Sequence, residues 1–159
     1  MRDLVLLPLQ AVLQQIVCGV ARRQSAVFER LGSHCYTTYL IDPVNLPIVL
    51  ILKPDRANPL LRAAWRGRSP PADCRIAGTL QTLLALVDGR GDGDASFFSR
   101  DLTVEGNIDA VVTLRNALDD LDVTLVEDIL SASGPLRGPL EAVLRVMRGN
   151  QTREVHHVR

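Results

Sequence analysis

Phe97–Leu118, FFSRDLTVEGNIDAVVTLRNAL, reads as strand, tight turn and helix in immediate succession. Leu102 and Val104 alternate as a strand requires, and Glu105-Gly106-Asn107 carries turn chemistry. Ile108, Val111, Val112 and Leu114 then recur on one side of a helix. No His or Cys lies in the stretch, and its carboxylates sit on turns or on the polar side. Its order goes into apolar surface, which points to a protein that holds something greasy rather than one that cuts or transfers.

Working outward toward the N-terminus, Asp88 to Asp94 (DGRGDGD) is a solvated loop. Its acids lack the Glu at the twelfth position that a calcium loop needs, and its glycines match no phosphate-binding fingerprint. Before it, Thr79 caps a helix whose apolar positions are Leu80, Leu83, Leu84 and Val87. Asp73–Ala77 alternates as a strand with Cys74 and Ile76 inward and Asp73 and Arg75 outward. Cys35–Ile41 and Ile48–Leu52 form a hairpin around the turn residues Asp42 to Pro47, and the unbroken IVLIL run suits a strand covered on both faces.

Pro54 to Pro71 is the least regular region. Within it Asn58 to Trp65 reads as a short helix starting at an Asn cap. The only tryptophan, Trp65, stands there with Leu60, Leu61, Arg62 and Arg66, and also Arg68. Two readings stay open for this group: a surface loop, or apolar side chains and arginines that insert at a lipid headgroup layer.

The N-terminal segment places Leu6, Leu9, Leu13, Ile16, Val17 and Val20 at three- and four-residue steps, with Pro8 in the first turn. It predicts an amphipathic helix from about Leu7 that Phe28 and Leu31 extend to Gly32. Core packing is the plain reading and docking on a membrane or partner the sharper one. Gln10, Gln14 and Gln15 interrupt the apolar run and Asp3 stands where a signal peptide wants a cation, so a cytoplasmic protein is expected. At the other end Leu136, Leu140, Val143, Leu144 and Met147 recur at helical spacing. The expected organisation is a helix over 1–33, a core over 34–130, a second helix over 131–150 and a frayed tail over 151–159, one domain overall.

Composition excludes much else. The 159 residues carry 18 basic and 18 acidic side chains, so no global field attracts nucleic acid. Three cysteines without a CxxC argue for free thiols in a reducing compartment, with no metal site and no cofactor expected. The three histidines are His34, His156 and His157, the last two in the polar tail, and no Ser-His-acid set or paired carboxylate stands out. An enzyme is not expected, and no residue is assigned a catalytic role.

Ala72-Asp73-Cys74, Leu83 to Arg90, and Phe97 to Asn107, followed by Arg115-Asn116-Ala117-Leu118, together resemble the type-two sterol carrier protein domain over about residues 34 to 120. The FF-x-R-x-L-x-V-E-G signature with Arg115-Asn116 and Leu118-Asp119 is more narrowly similar to the bacterial accessory factors of oxygen-independent ubiquinone biosynthesis, although Asn107 stands where those often have Asp. The resemblance implies an α/β fold: a curved, mostly antiparallel sheet of about five strands, with helices enclosing an apolar tunnel. It also implies a lipid as ligand, either a prenylated quinone precursor or phospholipid. Peptidase-like hydroxylases of the same pathway are the further partners it suggests, while the N-terminal stripe and the Trp65 group add a transient membrane surface and the C-terminal stripe a second copy of the chain. On this reading Leu80, Leu83, Leu84, Val87, Val104, Ile108, Val111, Val112 and Leu114 line the tunnel, with Phe97 and Phe98 as lining or gate. A general lipid or sterol carrier, or a scaffold whose tunnel is filled by side chains, is the alternative.

Overall fold

The computed structural model of the chain describes residues 2–88, 101–122, 124 and 128. A short 3-10 turn, Arg2–Leu6, leads into helix α1 (Leu7–Arg23), and Pro8 lies in its first turn, where its missing N–H costs nothing. Helix α2 (Ser25–Glu29) and a second 3-10 turn, Gly32–Tyr36, follow. The chain then forms strands β1 (Tyr39–Pro43), β2 (Ile48–Lys53), β3 (Leu60–Trp65) and β4 (Cys74–Gly78), helix α3 (Leu80–Asp88), strand β5 (Thr103–Gly106) and helix α4 (Ile108–Leu118).

The five strands make one sheet in the order β3-β2-β1-β4-β5. All neighbours are antiparallel except β1 and β4, which run parallel. The registers Tyr39↔Leu52↔Leu61, Ile41↔Leu50↔Ala63, Tyr39↔Cys74 and Ile41↔Ile76↔Val104 put these side chains on one face, because side chains alternate along a strand. The helices lie on that face. Val17, Val20, Phe28, Leu31, Leu83, Val111 and Leu114 pack there against Tyr39, Cys74 and Ile76. Leu6 and Leu9 pack with Leu46, Ile48 and Ala63 in a second, separate cluster.

Two expectations are overturned here. The N-terminal helix does not run on to Gly32: it stops at Arg23, where Gln24 leaves helical geometry, and Phe28 lies on the separate α2. Asn58 to Trp65 is not a helix either: Leu60–Trp65 is an edge strand paired along its length to β2. Local capping and propensity favour a helix, but six residues cannot outweigh a full ladder to the apolar Ile48–Lys53. The strand from Cys35 also begins later than expected, since Gly32–Tyr36 is a 3-10 turn and β1 starts at Tyr39.

The exposed edge of β3 is closed in an unusual way. The Gln10 amide donates to the Ala63 carbonyl at 2.6 Å and accepts from the Ala63 N–H at 2.9 Å. One helical turn on, Gln14 donates to the Pro59 carbonyl at 2.8 Å and accepts from the Leu61 N–H at 3.3 Å. Four helical residues rise about 6 Å and two strand residues about 6.7 Å, so glutamines at i and i+4 match alternate peptides of the strand. Two side chains thereby stand in for a missing strand and blunt an aggregation-prone edge. Asp3–Arg23 is long and apolar enough to cross a membrane, and it is also the element that makes these bonds.

Candidate functional site

The site is best built from the turn that starts the wall. Gly106 has φ +85°, and a Cβ there would lie 2.3 Å from the Asp73 carbonyl oxygen and 2.9 Å from the Cys74 Cα. Only glycine permits β5 to turn against β4 at this point. Asn107 then caps α4, its side chain accepting from the Ala110 N–H at 3.1 Å. The helix turns Ala110, Val111, Leu114 and Ala117 inward, each 4% exposed or less.

Beneath them Tyr39 is fully buried, and its hydroxyl lies 3.2 Å from the Ala110 carbonyl and 3.3 Å from the His34 carbonyl. Burial, then the neighbouring Cys74, pushes its phenol well above the ordinary range, so it stays a neutral donor. Cys74 beside it is pushed up from 9.0 to about 11, first by burial and then by Asp73. A thiol so raised is an apolar wall, not a nucleophile.

The second cluster contains a different kind of residue. Trp65 points to the helix-covered face with Ile48, its register partner, and packs against the cluster of Leu6, Leu9, Leu46, Ile48 and Ala63. Its indole Nε1 is buried with no hydrogen-bond partner, alone in this among the side-chain nitrogens and oxygens of the described residues. Leaving such a donor dry costs about 1–3 kcal/mol.

On the opposite face Asp42 is buried among arginines. Arg75 reaches its Oδ2 with Nε at 3.0 Å and Nη2 at 2.6 Å, and Arg66 holds its Oδ1. Arg66 also donates to the carbonyls of Pro43 and Leu46 at 3.0 and 2.7 Å, and Arg75 meets Glu105 at 3.2 Å. The hydrogen bonds that Arg75 donates to the Asp42 carboxylate raise its pKa further. This network ties the β1–β2 turn to the end of β3.

A cleft of about 530 Å³ opens beside the first cluster, between α2 with its following turn and residues 55–57. Phe28, Cys35 and Tyr36 form its apolar side, and Arg56 bridges it to Glu29 at 3.0 Å. Tyr36 is 75% exposed.

The structure divides the expected lining. Leu83, Val111 and Leu114 are buried in the first cluster, Val104 packs against it, and Leu80 packs against the second. Leu84, Ile108 and Val112 are instead exposed, at 57%, 61% and 36%. Ala110, Val111, Leu114 and Ala117 take the inner arc of α4, so Ile108 and Val112 fall outside it at 100° per residue. Phe97, Phe98 and the side chain of Val87 lie outside the described residues.

The expected headgroup patch is not assembled as one surface. Leu61 and Trp65 face the helices, Leu60 and Arg62 face the other way, and Arg66 is engaged by Asp42. A helix would have gathered them; strand alternation separates them.

Gln10, Gln14 and Asp42 were not singled out by sequence reasoning as structural. The signals were present: an i, i+4 amide pair on an otherwise apolar helix, and one carboxylate inside an apolar hairpin. Among the described residues no group of three or more His, Cys, Asp or Glu is placed to hold a metal ion.

Residues 15–119 match the model of the SCP-2 sterol transfer family. Among solved structures, the chain is similar to one described as a UbiJ-SCP2 ubiquinone synthesis protein. The identity is 20% and the TM-score 0.52, over 75% of this chain and 92% of that one. It is also similar to TT1886 of Thermus thermophilus, described as possibly a sterol carrier protein, with 16% identity and TM-score 0.49 over 72% and 84% of the two chains. Sterol carrier protein 2 of Yarrowia lipolytica, in its apo form, follows with 16% and 0.45 over 67% and 86%. A search of the curated proteins finds no match.

Proposed function

This chain belongs to the SCP-2 sterol transfer family, and on that premise we propose that it is a non-catalytic carrier of a prenylated quinone precursor or phospholipid. The observation that carries the reading is the family match over residues 15–119 together with the helix-covered sheet face. The side chains packed under the helices are almost wholly apolar. An apolar chain taken up among them would gain about 0.8 kcal/mol per methylene, so a few isoprene units suffice for binding without a polar motif.

The quinone reading rests on the FF-x-R-x-L-x-V-E-G resemblance and on a neighbour whose description is ubiquinone synthesis. Anaerobic conditions and hand-over to peptidase-like hydroxylases in the cytoplasm belong to the same proposal. For contact with a membrane surface, exposed Leu4, Val5 and Leu7 replace the patch centred on Trp65. They sit beside the Asp3–Arg68 ion pair, which brings an arginine to the same end of the fold.

Organic extraction and mass spectrometry of protein purified from cells test the proposal. Stoichiometric prenylated quinone precursor or phospholipid is expected. Lipid-free protein that also takes up neither class from vesicles would reject it.

A further inference from the structure

We infer that the buried Trp65 Nε1–H is the donor that seats an acceptor oxygen of the bound lipid, a carbonyl at its polar end, with the apolar chain lying under the helices that cover this sheet face. This rests on the carrier reading above and assigns the polar end a position within it. The polar groups at this end of the sheet are already committed. Gln10 is taken up by both peptide groups of Ala63, and the Asn45 carbonyl oxygen accepts from the Leu80 N–H at 2.9 Å. Arg66 takes the carbonyls of Pro43 and Leu46, and the Pro47 carbonyl accepts from the Arg66 N–H at 3.0 Å.

What remains is one buried N–H with no partner on the chain among the described residues, set among leucines and isoleucine. Buried donors are almost always paired, and one left unpaired in an apolar setting fits a ligand acceptor. The contrast with Tyr39 is direct, because its hydroxyl is equally buried and finds carbonyls of the chain itself. Quinone carbonyls and phospholipid ester carbonyls share the required chemistry. A lone indole donor selects for an oxygen and not for a charge.

Trp65 is the only tryptophan, so its indole N–H gives a single resonance in the ¹⁵N-labelled full chain. After lipid extraction the chain is titrated with three probes: a benzoquinone bearing two prenyl units, a short-chain phosphatidylcholine below its micelle concentration, and the hydrocarbon farnesane. The indole proton is expected to move downfield with an oxygen-bearing probe and not with farnesane, and the probe that moves it identifies the source of the carbonyl. Trp65→Phe should weaken that probe by about five- to tenfold while changing farnesane binding less than about twofold. If all three bind and the indole stays in place, or shifts alike for farnesane, the inference is overturned and the carrier reading stands. If none binds, the carrier reading falls and takes the inference with it. The wild-type titration decides even if the variant folds poorly.

Discussion

The two apolar clusters on one face of the sheet differ in how they treat polar atoms. In the first, Tyr39 is fully buried and its hydroxyl reaches two backbone carbonyls, with Ala110, Val111, Leu114 and Ala117 closing over it. In the second, Trp65 is only partly buried, yet its one polar atom is sealed and unpartnered. The first cluster is finished by the chain alone, whereas the second leaves open a donor that a ligand can satisfy. A satisfied interior gives rigidity, and an unsatisfied donor gives a reason to bind.

The largest effect should come from breaking the frame of the first cluster. Gly106→Val would drive a side chain into Asp73 and Cys74 at a φ of +85°, and a loss above about 4 kcal/mol is expected. Thermal unfolding followed by circular dichroism should show no cooperative transition at room temperature. A retained transition near that of the wild type would mean that this turn does not hold the wall.

Cavities should then separate the clusters. Phe28→Ala in the first should cost about 3–4 kcal/mol in urea unfolding, and Leu80→Ala, only packed against the second, about 1 kcal/mol. Equal losses would erase the distinction between a closed cluster and a receptive one.

Removing the polar atoms is the sharper probe. Tyr39→Phe removes the one hydroxyl donor that the Ala110 and His34 carbonyls share and should cost about 1–2 kcal/mol. Trp65→Phe removes a donor that has no acceptor, so lipid-free protein should keep its stability within about 0.5 kcal/mol or gain. A Trp65→Phe loss as large as that of Tyr39→Phe would show the indole to be satisfied.

The smallest effect is a pH dependence confined to the first cluster. The Cys74 thiol is raised from 9.0 to about 11 in the fold. The unfolded chain therefore loses its proton first, and the native state holds more protons between these values. Stability contributed by the neutral thiol is full below pH 9 and declines as pH rises toward 11. Cys74→Ala should flatten this part of the urea-midpoint profile, and at pH 8 Cys74 should resist iodoacetamide.

Much of this was legible in the chain. The β5–turn–α4 unit, the Cys74 and Ile76 inward alternation and the start of α1 at Leu7 follow from period and capping, because the signals are local and agree with one another. Helix α3 follows likewise, with the Thr79 hydroxyl accepting from the Thr82 N–H at 3.2 Å. Resemblance to the sterol carriers anticipated the five-stranded sheet and the family.

Position in space was not legible where partners are far apart in sequence. Leu60–Trp65 becomes a strand because β2 offers a ladder. Gln10 and Gln14 become its surrogate edge because α1 crosses beside it, 53 and 45 residues earlier in the chain than the carbonyls they meet. The same alternation took Trp65 away from Leu60 and Arg62 and turned it inward. By itself the sequence determined which segments are helix, strand and turn wherever periodicity and caps are local, and that their order resembles a lipid-binding family. Only the tertiary structure decided which polar atoms are satisfied. Hydrogen bonding is settled by distance and angle between groups that folding alone brings together, and so the unpaired indole of Trp65 could appear only once its neighbours were in place.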